Sequence, residues 1–292
     1  MISKFRIGVL VIILNFFASV AMIWGQDNPS LLQMAVPSLN IAPDARGGGM
    51  GDMGAATLPD INSQYWNAAK YAFMGSKAGV SLSYTPWLRK LVNDVALVNM
   101  TGYYKLGNSD LQAISASLRY FSLGEVNIWE NIGDVPYGLN PYEMAFDVAY
   151  SRKLSESYSM AVTLRYIRSD MGTDQNDESN AGNAFSADIS GYLEKYVLMG
   201  NAEALWSFGF NLSNIGSKIS YDGGNTNQYL PAKLTLGTGL LYPIDDYNQI
   251  GVYLDLNKYM VPYAPQKEEG ETDADYQTRV DDYKSWSSLS GC

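Results

Sequence analysis

Tyr158-Ser-Met-Ala-Val-Thr-Leu-Arg-Tyr-Ile-Arg168 alternates residue by residue. Met160, Val162, Leu164 and Tyr166 fall on one side, and Ser159, Thr163 and Arg165 on the other. Side chains of a strand point alternately to its two faces, so this is a strand with one apolar and one polar face. The same rule reads Leu111–Phe121, Ala184–Leu193 and Asn248–Asn257, where Ile250, Val252, Leu254 and Leu256 oppose Gly251, Tyr253, Asp255 and Asn257. Comparable stretches lie at Ala78–Tyr84, Val95–Lys105, Glu143–Lys153, Glu203–Ser213 and Lys233–Tyr242, which makes nine candidate strands. Most are about 9–11 residues long, enough to cross a bilayer at barrel tilt. Strands of a soluble sandwich are shorter, about 5–6 residues.

The connections sort themselves by length. Short ones fall at Leu106–Asp110, Leu154–Ser157, Tyr196–Ala202 and Pro243–Tyr247. Long ones alternate with them, at Thr85–Asp94, Ser122–Tyr142, Ser169–Asn183, Asn214–Ala232 and from Lys258 onward. Outer-membrane barrels carry short periplasmic turns on one rim and long external loops on the other. The predicted class is therefore all-β, a transmembrane antiparallel β-barrel. Composition agrees: 47% of residues are hydrophobic and 17% charged, yet mean hydropathy is only −0.14. A wall with one lipid face and one polar face gives that combination.

Both ends of the chain read differently. Lys4 and Arg6 precede an apolar run from Ile7 to Ile23, and polar residues begin after Gly25. This is a signal peptide, residues 1–25, and it implies export. Residues 26–76 are rich in Gly, Pro, Asn and Asp and do not alternate. We read them as a plug inside the barrel, with an extended N-terminal arm as the plainer alternative. The candidate plug motif is Asp44, Arg46, Gly47, Gly48, Gly49, Met50, Gly51 and Asp52. No Lys-Ser or Lys-Thr follows its glycines and no strand precedes them, so they are a weak signal for a nucleotide site. Residues 77–292 form the barrel region.

Chemistry is bounded by what the chain lacks. It has no His and one Cys, Cys292. Serine–histidine catalysis, the usual zinc sites and an internal disulfide are all ruled out. No catalytic residue, cofactor or metal is expected. A net charge of −10 speaks against nucleic-acid binding. Arg119, Asp147, Arg165, Asp188 and Asp255 fall on polar faces and are expected as structural charges in the lumen. The long loop Ser122–Tyr142 carries Trp129 and Tyr137 in mid-loop. They read equally as anchors for a partner or as part of the interfacial girdle, whereas Tyr142 at the strand end reads as girdle. Ser169–Asn183 carries Asp170, Asp174, Asp177 and Glu178 without Lys or Arg and is expected to be solvated.

Five stretches carry a resemblance to a known family. They are Ile41-Ala-Pro-Asp-Ala-Arg-Gly-Gly-Gly-Met-Gly-Asp52, Asn62-Ser-Gln-Tyr-Trp-Asn67, Lys77-Ala-Gly-Val-Ser-Leu-Ser-Tyr-Thr-Pro-Trp-Leu-Arg-Lys-Leu-Val-Asn-Asp94, Ser117-Leu-Arg-Tyr-Phe-Ser-Leu-Gly-Glu-Val126 and Tyr150-Ser-Arg-Lys-Leu-Ser-Glu156. The chain resembles the PorV (LptO-like) family of the type IX secretion system, within the wider group of FadL-like barrels. The resemblance implies an outer-membrane shuttle in Bacteroidota. Such a protein binds C-terminal signal domains of secreted cargo at a SprA-type translocon and passes the cargo to an attachment complex with a PorU-like sortase. It also implies a barrel of about fourteen strands with an N-terminal plug, within the even-numbered range of such barrels.

Nine strands fall short of that. An odd count cannot close an antiparallel barrel, and it leaves two strand edges bare in lipid. The expectation is a chain shortened at its C-terminus. Two other functions are weighed beside the shuttle. A FadL-like transporter of hydrophobic small molecules would need an apolar lumenal pocket and a lateral opening. A lipopolysaccharide deacylase would need a histidine base, and the chain has none.

Overall fold

The computed structural model describes residues 32–87, 89–90, 94–107, 110–129, 135–172, 181–200, 202–222, 227–268 and 270–286. The expected signal peptide, residues 1–25, and the acidic residues Asp174, Asp177 and Glu178 lie outside them.

Each alternating stretch is a strand. In chain order they are β1 (Ala78–Pro86), β2 (Val95–Leu106), β3 (Gln112–Leu123), β6 (Tyr142–Lys153), β7 (Tyr158–Asp170), β8 (Gly182–Met199), β9 (Ala202–Gly216), β10 (Lys233–Pro243) and β11 (Gln249–Tyr259). All nine join one antiparallel sheet in that order. The sheet stays open: among the described residues β1 pairs only with β2 and β11 only with β10.

The faces sort as the alternation requires. In β3, Ala113, Ser115, Ser117, Arg119 and Phe121 are buried, while Ile114, Leu118 and Tyr120 are exposed. Strands β6 and β7 repeat the pattern, with Phe146, Val148, Val162 and Leu164 outward. The outer face is thus a continuous apolar belt. Tyrosines edge it: Tyr120 and Tyr142 stack at 5.5 Å near the long-loop rim, and Tyr104 and Tyr150 lie near the short-turn rim.

Three local features escape the period-two pattern. β8 runs on to Met199, so its turn to β9 is tighter than the predicted Tyr196–Ala202. Gly200 makes that turn possible with φ +68°, a conformation other residues rarely adopt. The loop 124–141 contains a small hairpin, β4 (Val126–Ile128) with β5 (Tyr137–Leu139). Strands of three residues are too short for alternation to register. The polar tail holds a helix, α1 (Asp273–Ser285), N-capped by Thr272. None of its residues is buried, so it lacks an apolar stripe to reveal it.

Residues 32–76 add no strand to the sheet. They lie against its inner face from rim to rim. Ala35, Val36 and Leu39 pack on Ala145, Ile167 and Ala184 near the long-loop rim. Ala68, Ala69 and Tyr71 pack on Ala113, Ala149, Ala161 and Tyr192 near the short-turn rim. Strands at opposite ends of the sheet both hold this segment. Ser83 of β1 donates to the Pro43 carbonyl, and Asp255 of β11 accepts from the Gly54 and Ala55 amides at 2.8 and 2.9 Å. The sheet is therefore rolled around the segment.

Candidate functional site

The inner face concentrates the polar chemistry of the molecule. Registers decide which of its charges meet. Asp147 of β6 stands directly opposite Arg165 of β7, and Asp188 of β8 lies opposite Thr163, one diagonal step from Arg165. Arg165 Nε donates to Asp147 Oδ1 at 2.6 Å, and Nη2 to Asp188 Oδ2 at 2.9 Å. Nη1 donates to Asn214 Oδ1 and to Asp188 Oδ1. The carboxylates are held in turn: Ser117 Oγ donates to Asp147, and the Asn214 amide donates to Asp188 at 2.7 Å. All three charged side chains are buried.

The other two charges of the inner face that the sequence singled out hold the N-terminal segment instead. Arg119 donates to the Ser38 carbonyl at 2.7 Å and lies over the Tyr65 ring, 4.5 Å from its centroid. Asp255 receives the Gly54 and Ala55 amides. Glu143, which the sequence did not single out, accepts from the Ser38 amide at 3.0 Å.

The glycine motif is explained by a tryptophan. A Cβ at Gly47 would lie 2.3 Å from the Trp66 ring, and one at Gly54 would lie 2.2 Å from it. The indole thus needs both positions bare. Its Nε1 donates to Asp44 Oδ1 at 2.8 Å, while Asp44 Oδ2 caps the short helix Ala45–Gly49 through the Gly47 amide. Arg46 pairs with Asp60 at 2.5 Å. Gly51 and Asp52 both take positive φ, +79° and +59°, to end that turn. Met50 C-caps the helix. Gly48 and Gly49 are crowded by nothing, and packing does not explain them.

Lys70 is a buried cation met by neutral oxygens. Its Nζ donates to the Gly54 carbonyl at 2.8 Å and to Thr57 Oγ1 at 3.1 Å. Burial pushes its pKa down to about 8. Asn67 ties the same region to the wall, donating to the Ala55 and Gly191 carbonyls at 2.9 Å each. Neither residue stood out in the sequence, although Asn67 closes one of the quoted stretches.

One space left along the inner face is small and has several polar side chains in its lining. A cavity of about 30 Å³ lies among Asp52, Tyr65, Arg119, Asp147, Arg165 and Lys233. That suits a water held by several polar partners rather than a hydrocarbon guest. Among the described residues no group of three His, Cys, Asp or Glu is placed to hold a metal. At the long-loop rim, Trp129 follows β4 and is 59% exposed, and Tyr137 begins β5 opposite Ile128.

An antiparallel sheet that is apolar outside, polar inside and rolled about its own N-terminal segment belongs to the membrane β-barrel class. Residues 25–267 match the family model described as type IX secretion system protein PorV. The chain belongs to the PorV family and is a component of the type IX secretion system. The comparison with curated proteins gives no significant match.

Proposed function

We propose that this protein is an outer-membrane shuttle of the type IX pathway. It binds the C-terminal signal domains of exported cargo at a SprA-type translocon and hands the cargo to an attachment complex with a PorU-like sortase. Membership of the PorV family over residues 25–267 carries this reading. Two features of the chain support it. The outer face is apolar enough to sit in lipid. The inner face is occupied by residues 32–76, which suits a plugged wall better than an open pore. We take that segment to be the plug, the short turns to be periplasmic and the long loops to face outward.

On this reading cargo or translocon meets the long-loop rim, and Trp129 and Tyr137 are the contact residues. Large aromatics at the centre of an interface commonly carry much of its binding energy. The test is recovery of cargo signal domains and translocon with the double variant Trp129→Ala, Tyr137→Ala, at equal membrane level. Recovery should fall, while Asp174→Ala with Asp177→Ala should change it less. Unchanged recovery in the aromatic variant would remove this hairpin from the contact surface.

A further inference from the structure

The outer belt is not smooth. Across β1, β2, β3 and β6 it sinks into a groove of about 650 Å³, within the range of about 300–1,000 Å³ usual for small-ligand sites. Cross-strand registers show how it is built. One row across the strands reads Val80, Gly102, Ala116, Val148. The row toward the short turns reads Ala78, Tyr104, Ile114, Tyr150, and the row toward the long loops reads Leu82, Met100, Leu118, Phe146. Gly102 and Ala116 form the floor between two rows that are mostly large apolar side chains.

The fold does not require that floor. A Cβ at Gly102 would meet its nearest neighbours, the Gly79 carbonyl and Val80 Cγ2, at 3.5 and 3.6 Å, which is ordinary contact. Gly191 makes the contrast. It lies on the same outer face, but a Cβ there would come within 2.3 Å of Phe210, whose ring already covers it. The space above Gly102 is left uncovered.

Cations stand at the short-turn end of the groove; at the long-loop end Arg168 donates to Tyr142 and stands 3.9 Å from Asp170. Lys77 precedes β1 at the short-turn rim; its Nζ donates to the Gly107 carbonyl and lies 5.8 Å from the centroid of the outward-facing Tyr104 ring. Arg152 is exposed on the outer face of β6, opposite Gln112. Asp110, an acid of the same rim, stands 3.7 Å from Lys105. An apolar trough ending at cations, on a face surrounded by hydrocarbon, has the layout of a lipid: chain in the trough, phosphate at the rim.

We propose that this groove seats an acyl chain of an anionic glycerophospholipid, whose phosphate is held by Lys77 with Arg152 alongside. The inference rests on reading the sheet as a membrane wall.

The purified full chain, reconstituted with equimolar phosphatidylglycerol and phosphatidylcholine, should retain phosphatidylglycerol preferentially in native mass spectrometry. Each rim cation should favour it by about fivefold. Lys77→Gln with Arg152→Gln should bring the two lipids to equal retention. Gly102→Leu with Ala116→Leu should lower retention of both, since the chain has nowhere to lie. Equal retention of the two lipids by the unaltered protein would overturn the proposal, and so would undiminished retention after filling the groove. If filling the groove instead loses the translocon and leaves the lipid in place, the groove is a protein interface. A nitroxide at Leu236, on the outer face away from the groove, tests the membrane reading separately. Relaxation by a water-soluble nickel chelate rather than by oxygen would refute the wall itself.

Discussion

Arg165→Met should be among the most damaging single changes in the wall. The substitution keeps an unbranched side chain but removes the cation between Asp147 and Asp188, which stand within 2.6 and 2.9 Å of it. Two carboxylates are then left buried and facing each other, with only Ser117 Oγ and the Asn214 amide, among the described residues, still donating to them. Breaking a buried ion pair by removing one partner costs about 3–5 kcal/mol. Replacing a whole buried triad with neutral groups of similar size is often nearly neutral, or even stabilising by about 1–4 kcal/mol. Arg165→Met with Asp147→Asn and Asp188→Asn should therefore recover most of the loss. The measurement is guanidinium unfolding of the protein in detergent micelles, followed by tryptophan fluorescence, for the unaltered chain, the single variant and the triple. A loss below about 1 kcal/mol for the single variant would mean that these charges are solvated, contrary to their burial. A triple variant as unstable as the single would show that lost packing, rather than stranded charge, sets the cost.

Two other outcomes follow from the N-terminal segment. Gly54→Ala should cost about 1–3 kcal/mol, because the new methyl displaces Trp66 and its bond to Asp44; in a Trp66→Ala background the same change should be almost silent, and equal costs in both backgrounds would clear Trp66 of the clash. Lys70 is held near pKa 8, below the 10.5 of a free lysine, so between those values the unfolded chain binds the extra proton. Stability should rise with pH across that window by about 3 kcal/mol. Lys70→Met should flatten that rise, and identical pH profiles for the two proteins would contradict the burial of a charged Lys70.

The wall was legible because its two solvents differ. Each strand must show lipid one face and polar surroundings the other, and period-two alternation records this directly in β2, β3, β6 and β7. The pairing of charges was not legible. Alternation placed Arg119, Asp147, Arg165 and Asp188 on one face, but a slip of two residues preserves every face. Only the register, Asp147 opposite Arg165, makes an ion triad of them and leaves Arg119 to the Ser38 carbonyl. The N-terminal segment was harder still. Its glycines signalled unusual backbone, yet Gly47 and Gly54 are set by the distant Trp66, and Gly54 is bonded to Asp255 at the far edge of the sheet. Contacts of that kind carry no local periodicity. The hairpin β4–β5 and helix α1 were missed for the opposite reason, being too short and too uniformly polar to leave a pattern.

The tie between Gly54, Ala55 and Asp255 also bears on how the molecule is made. These partners are 201 and 200 residues apart, so a segment that precedes every strand of the sheet is held by β11, the last of the nine described strands. Such non-local contacts form slowly, because the loop between them must close before they repay it. During assembly the segment must ride along with the growing sheet, joined first by Ser83 and then by each later strand. The polar inner face would otherwise have to fold around a bare lumen. Loss of residues 32–76 should therefore slow assembly of the sheet more than it weakens the finished one, which refolding rates and unfolding midpoints of the shortened chain would check.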